Sequence, residues 1–244
     1  MKWWIGCSGF YYKGWKGKFY PSDLPQSQWF EYYCSIFNTV ELNVTFYRVP
    51  ESKVFRDWYD RSPKTFRFAV KAPRLITHFR RFHNVAESVT SFYDLVSTNL
   101  REKLGPVLFQ LHPQMKFSYE NIDRIMQVLD PAFMNVVEFR DTTWWNDETI
   151  KILGEHGATF CSISHPQLPD EFMSTSRTAY YRFHGVPELY RSAYRKQKLR
   201  SVFEAITETK RVREAYVYFN NDIDVAAVSN AKTLRRIVEE QSGK

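Results

Sequence analysis

Two stretches of this chain place chemically active side chains two residues apart. V-V-E-F-R from Val136 carries Glu138 and Arg140, and Y-R-F-H from Tyr181 carries Arg182 and His184. Two shorter signals match them: V-E-L-N from Val40 presents Glu41, and F-R-F-A-V-K from Phe66 ends on Lys71. A spacing of two keeps side chains on one face of an extended strand. Val136, Glu138 and Arg140 therefore share one face, with Val137 and Phe139 on the other. Carboxylates, an amine and an imidazole are proton-transfer groups, which makes Glu41, Lys71, Glu138 and His184 the catalytic candidates. Guanidiniums match planar anions, so Arg140 and Arg182 are read as ligand binders.

Such groups need strands to present them, and the chain supplies eight candidates. They run Trp3 to Ser8, Thr39 to Thr45, Phe66 to Lys71, Pro106 to Leu111, Val136 to Arg140, Ala158 to Ile163, Ala179 to His184 and Tyr216 to Asn220. Between them lie segments of helical spacing: Gln26 to Phe37 with Ser27 as cap, Glu51 to Asp60, Glu87 to Lys103 ended by Gly105 and Pro106, Ser118 to about Leu129, and Asn146 to about Gly154. A basic helix from Ser192 to Arg211 and a closing helix from Val225 to Glu240 complete the set. Only a weak helical signal lies between His165 and Thr178, so a short or missing helix is expected between strands six and seven. Alternating strands and helices in this number predict a single (β/α)8 TIM barrel over 1–244. An open doubly wound sheet would want a G-x-G-x-x-G turn, and none is present.

Composition sets the class and the compartment. The 244 residues are 43% hydrophobic and 17% aromatic, without a low-complexity linker, which suits one compact body. A formal charge of +7 favours anions, whether small metabolites or nucleic acid. Cys7, Cys34 and Cys161 are far apart, so neither a disulfide framework nor a zinc site is indicated. The apolar run from Trp3 to Cys7 is too short for a signal peptide, and no stretch is long enough to span a bilayer. A cytoplasmic protein with no membrane contact is expected.

In a TIM barrel the reactive positions are the strand C-termini. These are Ser8 and Gly9, Glu41 and Asn43, Lys71, Gln110, Glu138 and Arg140, Arg182 and His184, and Asn220, Asn221 and Asp222. Buried ion pairing among Glu41, Glu138, Arg140 and Arg182 is the competing, purely structural reading. Desolvating five charges is a poor way to gain stability, and Lys71, Arg140 and Arg182 outnumber the two carboxylates, which invites an anionic ligand. One of Trp144 and Trp145 is read as a stacking platform, and Trp145 enters the binding set with Ser8, Asn43, Gln110, Arg140, Arg182, Asn220 and Asn221. His112 is read as loop support. Glu41, Glu138, His184 and Asp222 form a conceivable metal set, but three cations in the same mouth argue against it. No cofactor is expected.

Several segments also resemble one known family. I-G-C-S-G-F from Ile5, G-K-F-Y-P from Gly17, V-E-L-N-V-T-F-Y from Val40, F-A-V-K-A-P with I-T-H at Ile76, G-P-V-L-F-Q-L-H-P from Gly105, V-E-F-R, Y-R-F-H-G and F-N-N-D from Phe219 are similar to domain of unknown function 72, the YecE-like proteins. The likeness spans all the strands in order. It implies a TIM barrel, and it implies recurrent polar residues at Glu41, Asn43, Lys71, His78, Gln110, Glu138, Arg140, Arg182, His184 and Asn220. His112 departs from the pattern, where many relatives carry a proline. The family's activity is unknown, so the resemblance adds fold and site but no reaction.

Three functions follow. The first is an enzyme working by acid/base chemistry on a small anionic metabolite (phosphorylated, carboxylated or sugar-like), with His78 joining the binding set. The second is a nucleic-acid-binding or endonuclease-like barrel, motivated by the cationic loop Arg74, His78, Arg80, Arg81 and His83 and by the basic helix after strand seven. The third is a non-catalytic small-ligand binder. Oligomeric state is open.

Overall fold

Branched and aromatic residues crowd eight short segments, and these pair as strands because such side chains pack well on a pleated surface. A computed structural model describes residues 1–242. The strands are β1 (Lys2–Cys7), β2 (Thr39–Leu42), β3 (Arg67–Lys71), β4 (Leu104–Gln110), β5 (Asn135–Glu138), β6 (Thr159–Ser164), β7 (Thr178–Phe183) and β8 (Glu214–Phe219). The helices are α1 (Trp29–Ile36), α2 (Val44–Tyr47), α3 (Ser52–Arg61), α4 (Ala86–Leu100), α5 (Tyr119–Met126), α6 (Asp147–Glu155), α7 (Lys196–Glu208) and α8 (Ala226–Ser242). All strand pairs are parallel, in the order β1-β8-β7-β6-β5-β4-β3-β2. This is the α/β barrel that the alternating pattern predicts, and the segment between β6 and β7 has no helix, also as expected.

Two apolar layers hold it. The larger lies between strands and helices and takes Val137, Phe139, Phe160, Tyr181 and Phe183. The smaller fills the barrel with Ala69, Leu108, Val136, Cys161, Ile163, Tyr180, Tyr216 and Tyr218. The interior tyrosines keep their hydroxyls bonded: Tyr218 meets Thr39 Oγ1 at 2.6 Å and Tyr180 donates to Glu41 Oε2 at 2.6 Å. Buried hydroxyls need such partners, and these set the depth at which polar chemistry begins.

The β1–β2 seam closes differently. No backbone ladder joins these strands among the described residues. Tyr33 from α1 bridges them, its hydroxyl accepting from Cys7 N at 2.7 Å and donating to Thr39 O at 3.0 Å. Asn38 does the same lower down, accepting from Ile5 N at 3.0 Å and donating to Trp3 O at 2.8 Å. A Cβ on Gly6 would sit 2.1 Å from Thr39 O, so only glycine fits this approach.

Some boundaries differ from the sequence expectation. β2 stops at Leu42 instead of Thr45, because Thr45 turns its hydroxyl to Leu42 O and Lys71 O at 2.9 and 2.6 Å and starts a helical turn. Ser27 caps nothing: residues 26–28 form a 3-10 turn and α1 opens after Gln28 without a side-chain cap. Gly105 and Pro106 lie inside β4, and α4 ends earlier, where Arg101 adopts a positive φ. Ser118 and Asn146 do cap α5 and α6, accepting from Asn121 N and Thr149 N at 3.1 and 2.8 Å. No helix among the described residues is long and apolar enough to cross a membrane.

Candidate functional site

The inward residues at the C-terminal ends of β2 to β5 and β7 meet in one polar network. Arg182 lies between two carboxylates, giving Nη2 and Nε to Glu41 Oε1 at 2.7 and 3.2 Å and Nη1 to Glu138 Oε2. Arg140 Nε bonds the other Glu138 oxygen. Glu41, Glu138, Arg182 and His184 are all fully buried. His184 Nε2 stands 3.6 Å from Glu138 Oε1, and Asn220 Nδ2 lies 3.1 Å from its Nδ1. Arg140 Nη2 and Arg182 Nη1 also approach Nε2, at 3.4 and 3.5 Å.

These neighbours set the charge states. Burial alone would raise Glu138, but Arg140 and Arg182 beside it hold its carboxyl well below the usual range. Burial, then Arg140 and Arg182, push His184 well below its ordinary value, so the ring is neutral. Two guanidiniums thus balance two carboxylates, and the surplus of charge expected from the sequence rests on Lys71. That amine has no carboxylate partner among the described residues. It donates to Gln110 Oε1 at 2.8 Å and lies 3.9 Å above the Phe46 ring. Burial, followed by the Arg182 charge, lowers it to about 7.

Arg140 reaches the surface of this network. Its Nη2 bonds Gln110 Oε1 at 3.3 Å, while Nη1 has no acceptor among the described residues. With Pro113, Asp141, Thr142, His165, Gln167 and Leu168 it lines a cavity of about 250 Å³. His165, which the sequence reading passed over, stacks edge-on to His184 at 5.8 Å, and burial with Arg140 nearby lowers it to about 4. Its signal was present in the loop leaving β6, but S-H-P looks like a turn. Phe46 and Tyr180 carry a different masking signal, because aromatic residues read as core.

The other sequence candidates fall in different places. His78 sits on a π-helical turn (Leu75–Phe79), bonds Thr77 Oγ1 at 2.9 Å and packs against Phe46 and His112; burial and then Lys71 lower it to about 4. His112 accepts from Gln114 N at 3.1 Å, as loop support should. Ser8 and Asn43 line a second cavity on the same barrel end. Asn221 is turned away: its amide donates to Ser192 O and Asn230 Oδ1 at 2.9 and 3.0 Å and ties loops together. Trp144 is no platform, being fully buried, bonded to Met115 O at 2.7 Å and stacked on Phe139. Trp145 is partly buried between the two core layers, edge-on to Phe160. Among the described residues no three His, Cys, Asp or Glu side chains are grouped to hold a metal. In the conceivable set, Glu41 and Glu138 already face Arg182.

A nearly closed ring of parallel strands with an ionic network at its C-terminal mouth defines the class, a TIM barrel whose polar groups gather where active sites of that fold gather. Within it, the chain belongs to the family described as "Protein of unknown function DUF72", whose model matches residues 4–244. A DUF72 family protein from Thermotoga maritima has a crystal structure that superposes with a TM-score of 0.89 at 31% identity, covering 98% of this chain and all of that one. UPF0759 protein YunF of Bacillus subtilis is 25% identical over 98% of this chain and 96% of its own length. UPF0759 protein YecE of Escherichia coli is 33% identical over 81 residues, 33% of this chain and 29% of its own.

Proposed function

We propose that this protein is an enzyme that binds a small anionic metabolite at the mouth of the barrel and moves a proton with Lys71. The observation that supports this reading is the amine itself, buried and lacking a carboxylate, on a strand tip beside a half-engaged arginine. A buried lysine lowered to about 7 is half deprotonated at neutral pH, the condition a general base needs. Arg140 offers Nη1 to the anion, and Gln110 aligns both cations. Glu138 and Glu41 orient the arginines; with two guanidiniums upon it, Glu138 is too weak a base for the proton-transfer role its position suggests. Nothing in this scheme calls on a cofactor. Thermal-shift and turnover screens of phosphorylated and carboxylated metabolites test it. Turnover lost in Lys71→Met and binding lost in Arg140→Gln are expected, whereas retention without turnover would favour a binding protein.

A nucleic-acid partner is the second reading. Phe79 and Tyr47 are each 67% exposed, and Arg74 lies over both rings at 5.2 and 5.9 Å. Exposed rings with interleaved cations are stacking platforms for single-stranded bases.

A further inference from the structure

Next to the ionic mouth, on the same end of the barrel, lies a larger space of about 570 Å³ walled by Phe10, Tyr12, Phe30, Leu42, Tyr47 and Trp58. Its volume is that of a small-molecule site. Two residues of its lining carry a polar atom with no hydrogen-bond partner among the described residues, Ser8 Oγ and Asn43 Oδ1. Ser8 itself is 1% exposed. The contrast with the seam just below is sharp: there Tyr33 satisfies both Cys7 N and Thr39 O. Buried polar atoms left open cost free energy that a ligand's hydrogen bonds would recover.

We propose that this cavity binds a flat, uncharged ring bearing an amide-like edge. Asn43 Oδ1 only accepts, so the ligand must bring an N–H or O–H; Ser8 Oγ can donate, so an adjacent carbonyl suits it. The aromatic walls offer faces and edges to a ring. Charge is not called for, because Arg61, the cation in the lining, is tied to Glu31 and Asp57 at 2.6 and 2.7 Å. One helical turn links this space to the amine: Asn43, Val44 and Tyr47 line the cavity while Phe46 lies over Lys71.

The test uses the full chain and three probes: benzamide, N,N-dimethylbenzamide, which lacks the N–H, and inorganic phosphate, each followed by saturation-transfer NMR and tryptophan fluorescence. Benzamide should bind about tenfold tighter than its dimethyl analogue, and Ser8→Ala or Asn43→Leu should erase that preference while leaving phosphate binding intact. Because Ser8 Oγ has no partner to lose, Ser8→Ala should fold with undiminished stability. Arg140→Gln should do the reverse, weakening phosphate alone. Equal binding of the two benzamides, or no binding of either, overturns the ring site. Failure of phosphate alone overturns the anion site of the proposed function but leaves the ring site standing.

Discussion

Lys71 and Arg140 converge on one oxygen: Nζ of the lysine and Nη2 of the arginine reach Gln110 Oε1 at 2.8 and 3.3 Å. Two cations sharing a neutral acceptor is an arrangement that stability alone does not favour. It keeps an amine close to an arginine without a carboxylate to hold its proton.

The amine should therefore weaken the fold near neutrality. Its folded value is about 7 against 10.5 in the open chain, so between those limits the unfolded state binds more protons and stability rises with pH. Lys71→Met should be more stable than the wild type at pH 7, with the difference fading above about pH 10, as read by urea unfolding across that range. Turnover should rise with pH through about 7, where the base loses its proton. A wild type already as stable as the variant at pH 7 would contradict the buried-amine assignment.

Glu138 makes the opposite contribution. Its carboxyl lies well below 4.5 in the fold, so its stabilisation is present above that value and is lost as pH falls through the lower folded one. Glu138→Gln leaves Arg182 and Arg140 short of a counter-charge and should cost about 3–5 kcal/mol at pH 7. The deficit should shrink on acidification. Equal unfolding midpoints in guanidinium chloride at pH 7 would reject this.

At the β1–β2 seam, Tyr33→Phe leaves Cys7 N and Thr39 O without their bridge. A loss of about 1–3 kcal/mol is expected, since both groups are buried. Gly6→Ala should cost more, because its Cβ meets backbone 2.1 Å away. Hydrogen exchange at Cys7 would report the opening directly.

The exposed pair Phe79 and Tyr47 gives the nucleic-acid reading its own test. A fluorescent single-stranded oligonucleotide should bind with affinity that falls steeply as salt rises, and Phe79→Ala with Arg74→Ala should weaken it at least tenfold. Anisotropy unchanged by the oligonucleotide at low salt would remove this reading.

The eight-strand count, the parallel order and the inward set Glu138, Arg140, Arg182 and His184 were legible in the sequence, because side-chain direction in a strand repeats every two residues and a barrel turns that repeat into one polar mouth. Partnerships were not legible. Arg182 pairs with Glu41 and Glu138, 141 and 44 residues away, and only strand order and register bring those together. Adjacent Asn220 and Asn221 look alike as letters, yet one faces His184 and the other ties loops together, since a chain leaving its strand loses the two-residue rule. Trp144 and Trp145 had the composition of a platform, but core packing claimed the first and half-buried the second. Residue type thus determined which groups this protein has for chemistry. Tertiary burial decided that Glu138 holds arginines and that Lys71 stands without a carboxylate among the described residues, because a charge state depends on who stands beside it.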